Sequence, residues 1–126
     1  MGDLRLGKIG QIGMPVLDVQ RATAFYRDIL RMKYLFSAPP GLAFFDCSGV
    51  RLMLSTPETA ESERHGSVLY YVVDEIQEAY DDLSGRGVNF TDAPHIIAEM
   101  DTYDLWMAFF KDTEGNTLAI MSEAKR

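Results

Sequence analysis

The chain is poor in the residues that most often carry chemistry. Its 126 residues include one cysteine and two histidines. The lone Cys47 excludes an internal disulfide and fits a reducing compartment, leaving only pairing between chains open. Positive charge is scarce as well: 12 Lys and Arg stand against 19 Asp and Glu, for a net charge of -7. Affinity for a phosphate backbone rests on Lys and Arg displacing counterions, and no basic cluster is present, so nucleic acid is not an expected partner. No apolar run is long enough to span a bilayer, and the amino terminus, Met1-Gly-Asp-Leu-Arg-Leu, lacks the apolar core of a signal peptide. The expectation is a soluble cytoplasmic protein with no membrane partner.

What the chain does have is repetition. Residues 45–54 read Phe-Asp-Cys-Ser-Gly-Val-Arg-Leu-Met-Leu and residues 111–120 read Lys-Asp-Thr-Glu-Gly-Asn-Thr-Leu-Ala-Ile. Superposing them sets Asp46 on Asp112, Gly49 on Gly115, Leu52 on Leu118, Met53 on Ala119 and Leu54 on Ile120. Each copy is an apolar or aromatic run, an Asp, a small polar stretch ending in Gly, and a second apolar run, which is the pattern of a β-hairpin. A second pair of phrases precedes them: Val16-Leu17-Asp18 with Ala22 and Tyr26, and Val72-Val73-Asp74 with Ala79 and Tyr80. Each reads as a strand entering a capped helix. The repeating unit is half a chain of strand, helix and three strands, used twice.

Length and composition suit one compact domain, residues 1–126, in which the half-size modules share a core. Module one covers about residues 8–55 and module two about 67–123. Residues 56–66, Thr-Pro-Glu-Thr-Ala-Glu-Ser-Glu-Arg-His-Gly, are polar without apolar period and read as the linker. In module one the pattern predicts a strand at 9–16, a helix at 19–32 capped by Asp18, and strands at 34–37, 42–46 and 50–55. In module two it predicts a strand at 67–73, a helix opened by Asp74 or Glu75 and stopped by Gly85 and Gly87, strands at 88–90, 95–100, 104–111 and 117–121, and a polar tail at 122–126.

These phrases, in this order and spacing, make the chain similar to the vicinal oxygen chelate superfamily, which includes glyoxalase I, bleomycin-resistance proteins and extradiol dioxygenases. The resemblance rests on Val16-Leu17-Asp18 with Phe25-Tyr26 and Leu30, on Asp74 with Leu83 and Gly87-Val88, and on Asp112-Thr-Glu-Gly-Asn116. It implies an α+β fold of two βαβββ modules forming a half-open barrel, and a homodimer with its pocket between modules. It also implies a divalent metal held by His or Glu at four inward strand positions. Those positions fall on Gln11, on Met53, on Val68 or Ser67, and on Ala119. A neutral amide, a thioether, an alkyl or hydroxyl group and a methyl group are not the donors from which such sites are built. No metal cofactor is expected there.

The expected function is therefore metal-independent binding of a small apolar or aromatic molecule in the barrel cleft. Its expected wall comprises Gln11, Phe45, Met53, Val68, Tyr70, Trp106 and Ala119, an apolar surface with few polar groups. Trp106 shares a strand face with Ala108 and Phe110, while Leu105, Met107 and Phe109 take the other; one set covers the helices and the other lines the barrel. The alternatives are a metal-dependent lyase, isomerase or dioxygenase of the glyoxalase type, and a metal-free enzyme using a carboxylate such as Glu99 for proton transfer. Glu99, Asp101 and Asp104 surround Tyr103, where solvated carboxylates are the plainer expectation. His95 and Glu99, four apart on a strand, would share a face but lie about 13 Å apart. His65 sits in the linker, and Cys47 has only Arg51 nearby in sequence to activate it.

Overall fold

The computed structural model describes residues 4–56 and 67–125. Most of the linker, with His65, lies outside the described residues. Module one is a four-stranded sheet in the order β1, β4, β3, β2, made from β1 (Gln11–Pro15), β2 (Lys33–Ala38), β3 (Leu42–Cys47) and β4 (Val50–Ser55). Module two orders β5 (Leu69–Val72), β9 (Thr117–Lys125), β8 (Tyr103–Lys111) and β6 (Asn89–Phe90), with β7 (His95–Glu99) also paired to β8. β1 runs parallel to β4 and β5 parallel to β9, and the other pairs are antiparallel. The architecture is α+β with two βαβββ modules, β6 and β7 together taking beside β8 the place that β2 takes beside β3.

Local chemistry sets the element ends. Asp18 accepts from the amides of Gln20 and Arg21, both at 3.1 Å, and so caps α1 (Val19–Ala24). The helix then widens into a π-type turn over Phe25–Ile29, closed by the Leu30 amide on the Phe25 carbonyl at 3.0 Å. Arg31, at φ 59°, ends it. In the first hairpin Ser48 and Gly49 both take positive φ, 52° and 97°, the backbone a two-residue turn between twisted strands needs. In the second, Asp112 Oδ1 accepts from the amides of Glu114 and Asn116, each at 2.8 Å, and builds the turn from its own side chain.

One face of each sheet is buried. Met14, Val16, Ala43, Phe45, Leu52 and Leu54 from sheet one meet Ala22, Phe25 and Tyr26, in one cluster with Ala108, Phe110, Leu118 and Ile120 from sheet two. Burial of this surface is the main force holding two small modules as one body.

Two sequence expectations shift. Residues 122–125 are not a free tail: β9 continues to Lys125, because Ser122 to Lys125 pair with Trp106 to Tyr103 on β8. The strand-to-helix phrases also align one residue later than their sequence superposition. The Val16 amide donates to Ser55 O and the Val73 amide to Met121 O, each at 2.9 Å. Likewise Ala22 bonds back to Asp18 and Ala79 to Glu75. Val16 is thus equivalent to Val73 and Asp18 to Glu75, the residue that opens α2 (Ile76–Gly85). This equivalence sets Val68, not Ser67, on Gln11.

Candidate functional site

The modules are joined by a buried polar network at the second hairpin turn. Tyr26 Oη donates to Asp112 Oδ2 at 2.7 Å, and Asn116 Nδ2 donates to Asp112 Oδ2 at 3.0 Å and to Pro15 O at 2.9 Å. Burial first, and then the Asp112 charge, push the Tyr26 phenol far above its ordinary pKa, so it remains a donor. Glu114, whose side chain is fully buried, accepts from the Leu17 amide at 2.9 Å, the Asp18 amide at 2.8 Å, and Arg21 Nε and Nη2 at 2.7 and 2.9 Å. Burial alone would raise its pKa; hydrogen bonds from Arg21, Thr113 and the two amides outweigh that and bring it down from 4.5 to about 2. The Asp112-Thr-Glu-Gly-Asn116 phrase therefore acts as a clamp between modules.

The other face of each sheet is open. In sheet one, directly opposed residues form rows across the strands: Gln11, Arg51, Asp46 and Lys33, then Gly13, Met53, Phe44 and Phe36. The Phe36 and Phe44 rings stack with centroids 4.6 Å apart. The Arg51 guanidinium lies 5.5 Å from the Phe44 centroid, and its Nε donates to Gln11 Oε1 at 2.8 Å. Gln11 Nε2 points to Met53 Sδ at 3.7 Å. In sheet two the rows are Thr117, Lys111 and Asn89, then Tyr70, Ala119 and Phe109, then Val72, Met121, Met107 and His95. The Tyr70 and Phe109 rings meet edge to face at 6.0 Å.

Residues 8–120 match the sequence profile of the Glyoxalase/Bleomycin resistance protein/Dioxygenase superfamily. The chain belongs to that superfamily. A superfamily member from Sphaerobacter thermophilus superposes with a TM-score of 0.78 at 22% identity, over 95% of this chain and 100% of that one. Lactoylglutathione lyase from Agrobacterium tumefaciens does so with a TM-score of 0.74 at 19% identity, over 94% of this chain and 95% of that one. A glyoxalase/bleomycin resistance protein/dioxygenase from Nocardioides gives 0.74 at 21% identity, over 96% of this chain and 86% of that one. At these identities the likeness is one of fold.

The residues at the four positions where the superfamily resemblance implies metal ligands do not suit a divalent cation. Gln11 supplies the one oxygen, and that oxygen already accepts from the Arg51 guanidinium. Met53 offers a thioether, Val68 an isopropyl group and Ala119 a methyl group. The Ala119 methyl is fully buried, flanked on its two sides by Tyr70 and Phe109. A divalent ion would gain one neutral ligand and face an adjacent cation. Among the described residues, no three His, Cys, Asp or Glu converge as metal ligands would.

The expected wall is partly regrouped. Gln11 and Met53 stand together on the open face of sheet one, and Tyr70 and Ala119 together on that of sheet two; Val68 precedes Tyr70 by one pleat. Phe45 and Trp106 are removed from it. Phe45 is wholly buried with its ring against Tyr26 and Tyr34, and Trp106 packs on the core, because the set with Ala108 and Phe110 faces the helices. On the open faces stand Phe36, Phe44, Met107, Phe109 and Arg51 instead. Arg51 had a legible signal, since it lies two residues before Met53 on one strand and so shares its face.

The carboxylate and thiol candidates are elsewhere. A bulge at Ile97 pairs His95 with Met107 but Glu99 with Asp104, which puts the two on opposite faces and dissolves the acid-base pair. His95 Nδ1 lies 3.0 Å from Ala93 O and 3.5 Å from Asp92 Oδ2, and Glu99 is exposed. Cys47 borders an open cleft of about 580 Å³ between the modules, with Ile12, Met32, Leu69 and Tyr71. Burial, and then Asp46, push its thiol up in pKa, so it stays protonated and is a poor nucleophile.

Proposed function

We propose that this protein binds a small, mainly apolar or aromatic organic molecule over the open sheet faces, without a divalent metal at the family's ligand positions, and that it does so as a homodimer. The observation carrying this reading is the composition of the face itself. Met53 and Ala119, two of the positions where the superfamily resemblance implies ligands, lie in rows with Phe44, Phe36, Tyr70 and Phe109, and Met107 stands in the row beyond; this is an apolar lining, flanked in sheet one by the polar row of Gln11 and Arg51, of the kind organic ligands favour. The dimer is supported by what the single chain leaves uncovered on the same faces: Phe36 is 48% exposed, Tyr70 46% and Val72 73%. A second copy is the partner that brings a matching half-barrel to each. The single half-buried Cys47 suits a reducing cytoplasmic setting.

The test is metal content of tag-free protein by mass spectrometry, with melting followed as zinc, nickel or manganese and then a chelator are added. Substoichiometric metal and an unmoved melting point are expected, while aromatic compounds raise it by mass action. Stoichiometric metal, or a rise that the chelator reverses, overturns the metal-free reading in favour of lyase or dioxygenase chemistry. Sedimentation of Val72→Lys tests the dimer: the variant is expected to run as a monomer where the parent runs as a dimer.

A further inference from the structure

From the geometry of sheet one we infer that Arg51 is the ligand-binding cation of the open face, and that the ligand class is an aromatic carboxylate. The inference rests on the organic-ligand reading above and names the chemistry of that same site. Arg51 is held from two directions. Its Nε is spent on Gln11 Oε1 at 2.8 Å, and its guanidinium plane lies by the Phe44 ring, centroid 5.5 Å away. Those contacts fix the group at little entropic cost and, among the described residues, leave both terminal nitrogens without a bond.

Among the described residues no acid neutralises it. Asp46 is the residue directly opposite Arg51, yet its carboxylate turns into the hairpin and accepts from the Gly49 amide at 3.2 Å. Other cations do have acid partners: Arg27 pairs with Asp28 and Arg86 with Asp82 on their own segments, and Arg21 pairs with Glu114 across the modules. Among the described residues, no carboxylate pairs with Arg51. In a chain of net charge -7, a preoriented cation with no carboxylate partner among the described residues is an anion site by its own chemistry. Beside it, in the next row, the rings of Phe44 and Phe36 stack on one another with centroids 4.6 Å apart and form an apolar shelf of ring edges. A carboxylate on Arg51 with an attached ring on that shelf satisfies both. The cation thus stands in the same strand row as Gln11, directly beside a position where the family resemblance implies a metal ligand.

The experiment compares two probes of nearly equal shape, 2-naphthoate and 2-naphthylmethanol, by calorimetric titration of the parent, Arg51→Gln and Arg51→Lys. The parent is expected to bind naphthoate at least about tenfold more tightly than the alcohol, with only the naphthoate affinity falling as salt is raised. Arg51→Gln is expected to lose that preference while keeping its affinity for the alcohol, and Arg51→Lys to retain a reduced preference. Equal affinity of the parent for both probes overturns the inference and leaves the organic-ligand reading standing. So does a preference that survives in Arg51→Gln, or an equal loss of both probes there, which would mark Arg51 as structural. Binding of neither probe by the parent overturns both.

Discussion

In sheet one the edge strand carries Gly13 and its neighbour carries Met53; in sheet two the equivalent places carry Tyr70 and Ala119. The bulk has crossed from one strand to the other while the backbone pairing stayed the same. A Cβ on Gly13 would already touch Met53 Cε at 3.6 Å, just as the Ala119 methyl lies closed beneath its aromatic neighbours. Each pair fills its row once, so the faces are equally floored but differently shaped. The next row differs in charge. Sheet one has Gln11, Arg51, Asp46 and Lys33, where sheet two has Thr117, Lys111 and Asn89, with Lys111 Nζ donating to Thr117 Oγ1 at 2.6 Å. Each cation makes one bond to a neutral neighbour in its own row, Arg51 to Gln11 and Lys111 to Thr117, and only Arg51 is also held against an aromatic ring, that of Phe44. A duplicated module can diverge in this way because residues on an open face are constrained only by their row neighbours.

The joint shows the opposite behaviour. The turn of the second hairpin reaches into module one and holds the start of α1 through Glu114, whereas, among the described residues, the turn of the first hairpin makes no matching bond to the start of α2, and Glu75 opens that helix without a side-chain cap. Cutting the clamp is expected to have the largest effect. Glu114→Ala leaves the Leu17 and Asp18 amides and the Thr113 hydroxyl without their buried acceptor and should cost roughly 3–5 kcal/mol by urea unfolding. Glu75→Ala at the equivalent helix start should stay within about 0.5 kcal/mol. Equal effects would show that the modules are not asymmetric in how they are held.

Acid should erase the same difference. The folded-state pKa of Glu114, about 2, lies below its unfolded value of 4.5. The unfolded chain therefore takes up the proton first as pH falls. The contribution is complete above about pH 5 and disappears progressively toward pH 2, amounting to about 3 kcal/mol at roughly 1.4 kcal/mol per unit. Unfolding midpoints of the parent and Glu114→Gln should be well separated at about pH 6 and should converge near pH 2 to 3. A gap that persists undiminished in acid would assign the effect to lost packing.

How much of this was legible before the structure follows from the distance over which each feature is encoded. Hairpins and caps are written within a few residues: Ser48-Gly49 states its turn, and Asp18 states its cap. The clamp is not local, since Glu114 meets Leu17 across 97 positions of sequence. The face of β8 was undecidable from pattern because both alternating sets, Trp106 with Phe110 and Leu105 with Phe109, are apolar; only the helices break the tie. The bulge at Ile97 inverted Glu99 without any glycine or proline to announce it. Arg51 needed the cross-strand register, which brought it to Gln11 and Phe44 rather than to its sequence neighbour Cys47.

The volume exchange gives the next, smaller effect. Ala119→Met inserts a long side chain where the methyl is fully buried between Tyr70 and Phe109, and should cost about 1–3 kcal/mol as those rings are forced apart. Combining it with Tyr70→Gly copies the Gly13 and Met53 arrangement into sheet two and should recover most of that cost. The double-mutant cycle is the measurement. Additive costs in the double variant would mean that bulk does not trade across the row.

The smallest expected effect on stability is also the one that separates a structural row from a binding row. Arg51→Gln removes a charge whose contacts are a single exposed hydrogen bond and a ring face, so unfolding free energy should move by no more than about 0.5 kcal/mol. Lys111→Gln, which removes the cation of sheet two, should be similarly quiet. The two should then part in ligand titration: loss at position 51, beside the stacked Phe44 and Phe36 rings, weakens an aromatic carboxylate probe, and loss at position 111, in the other sheet, leaves it unchanged. If both weaken the probe alike, the field of the whole face rather than one aimed guanidinium is what the ligand feels, and the contrast between the sheets reduces to shape.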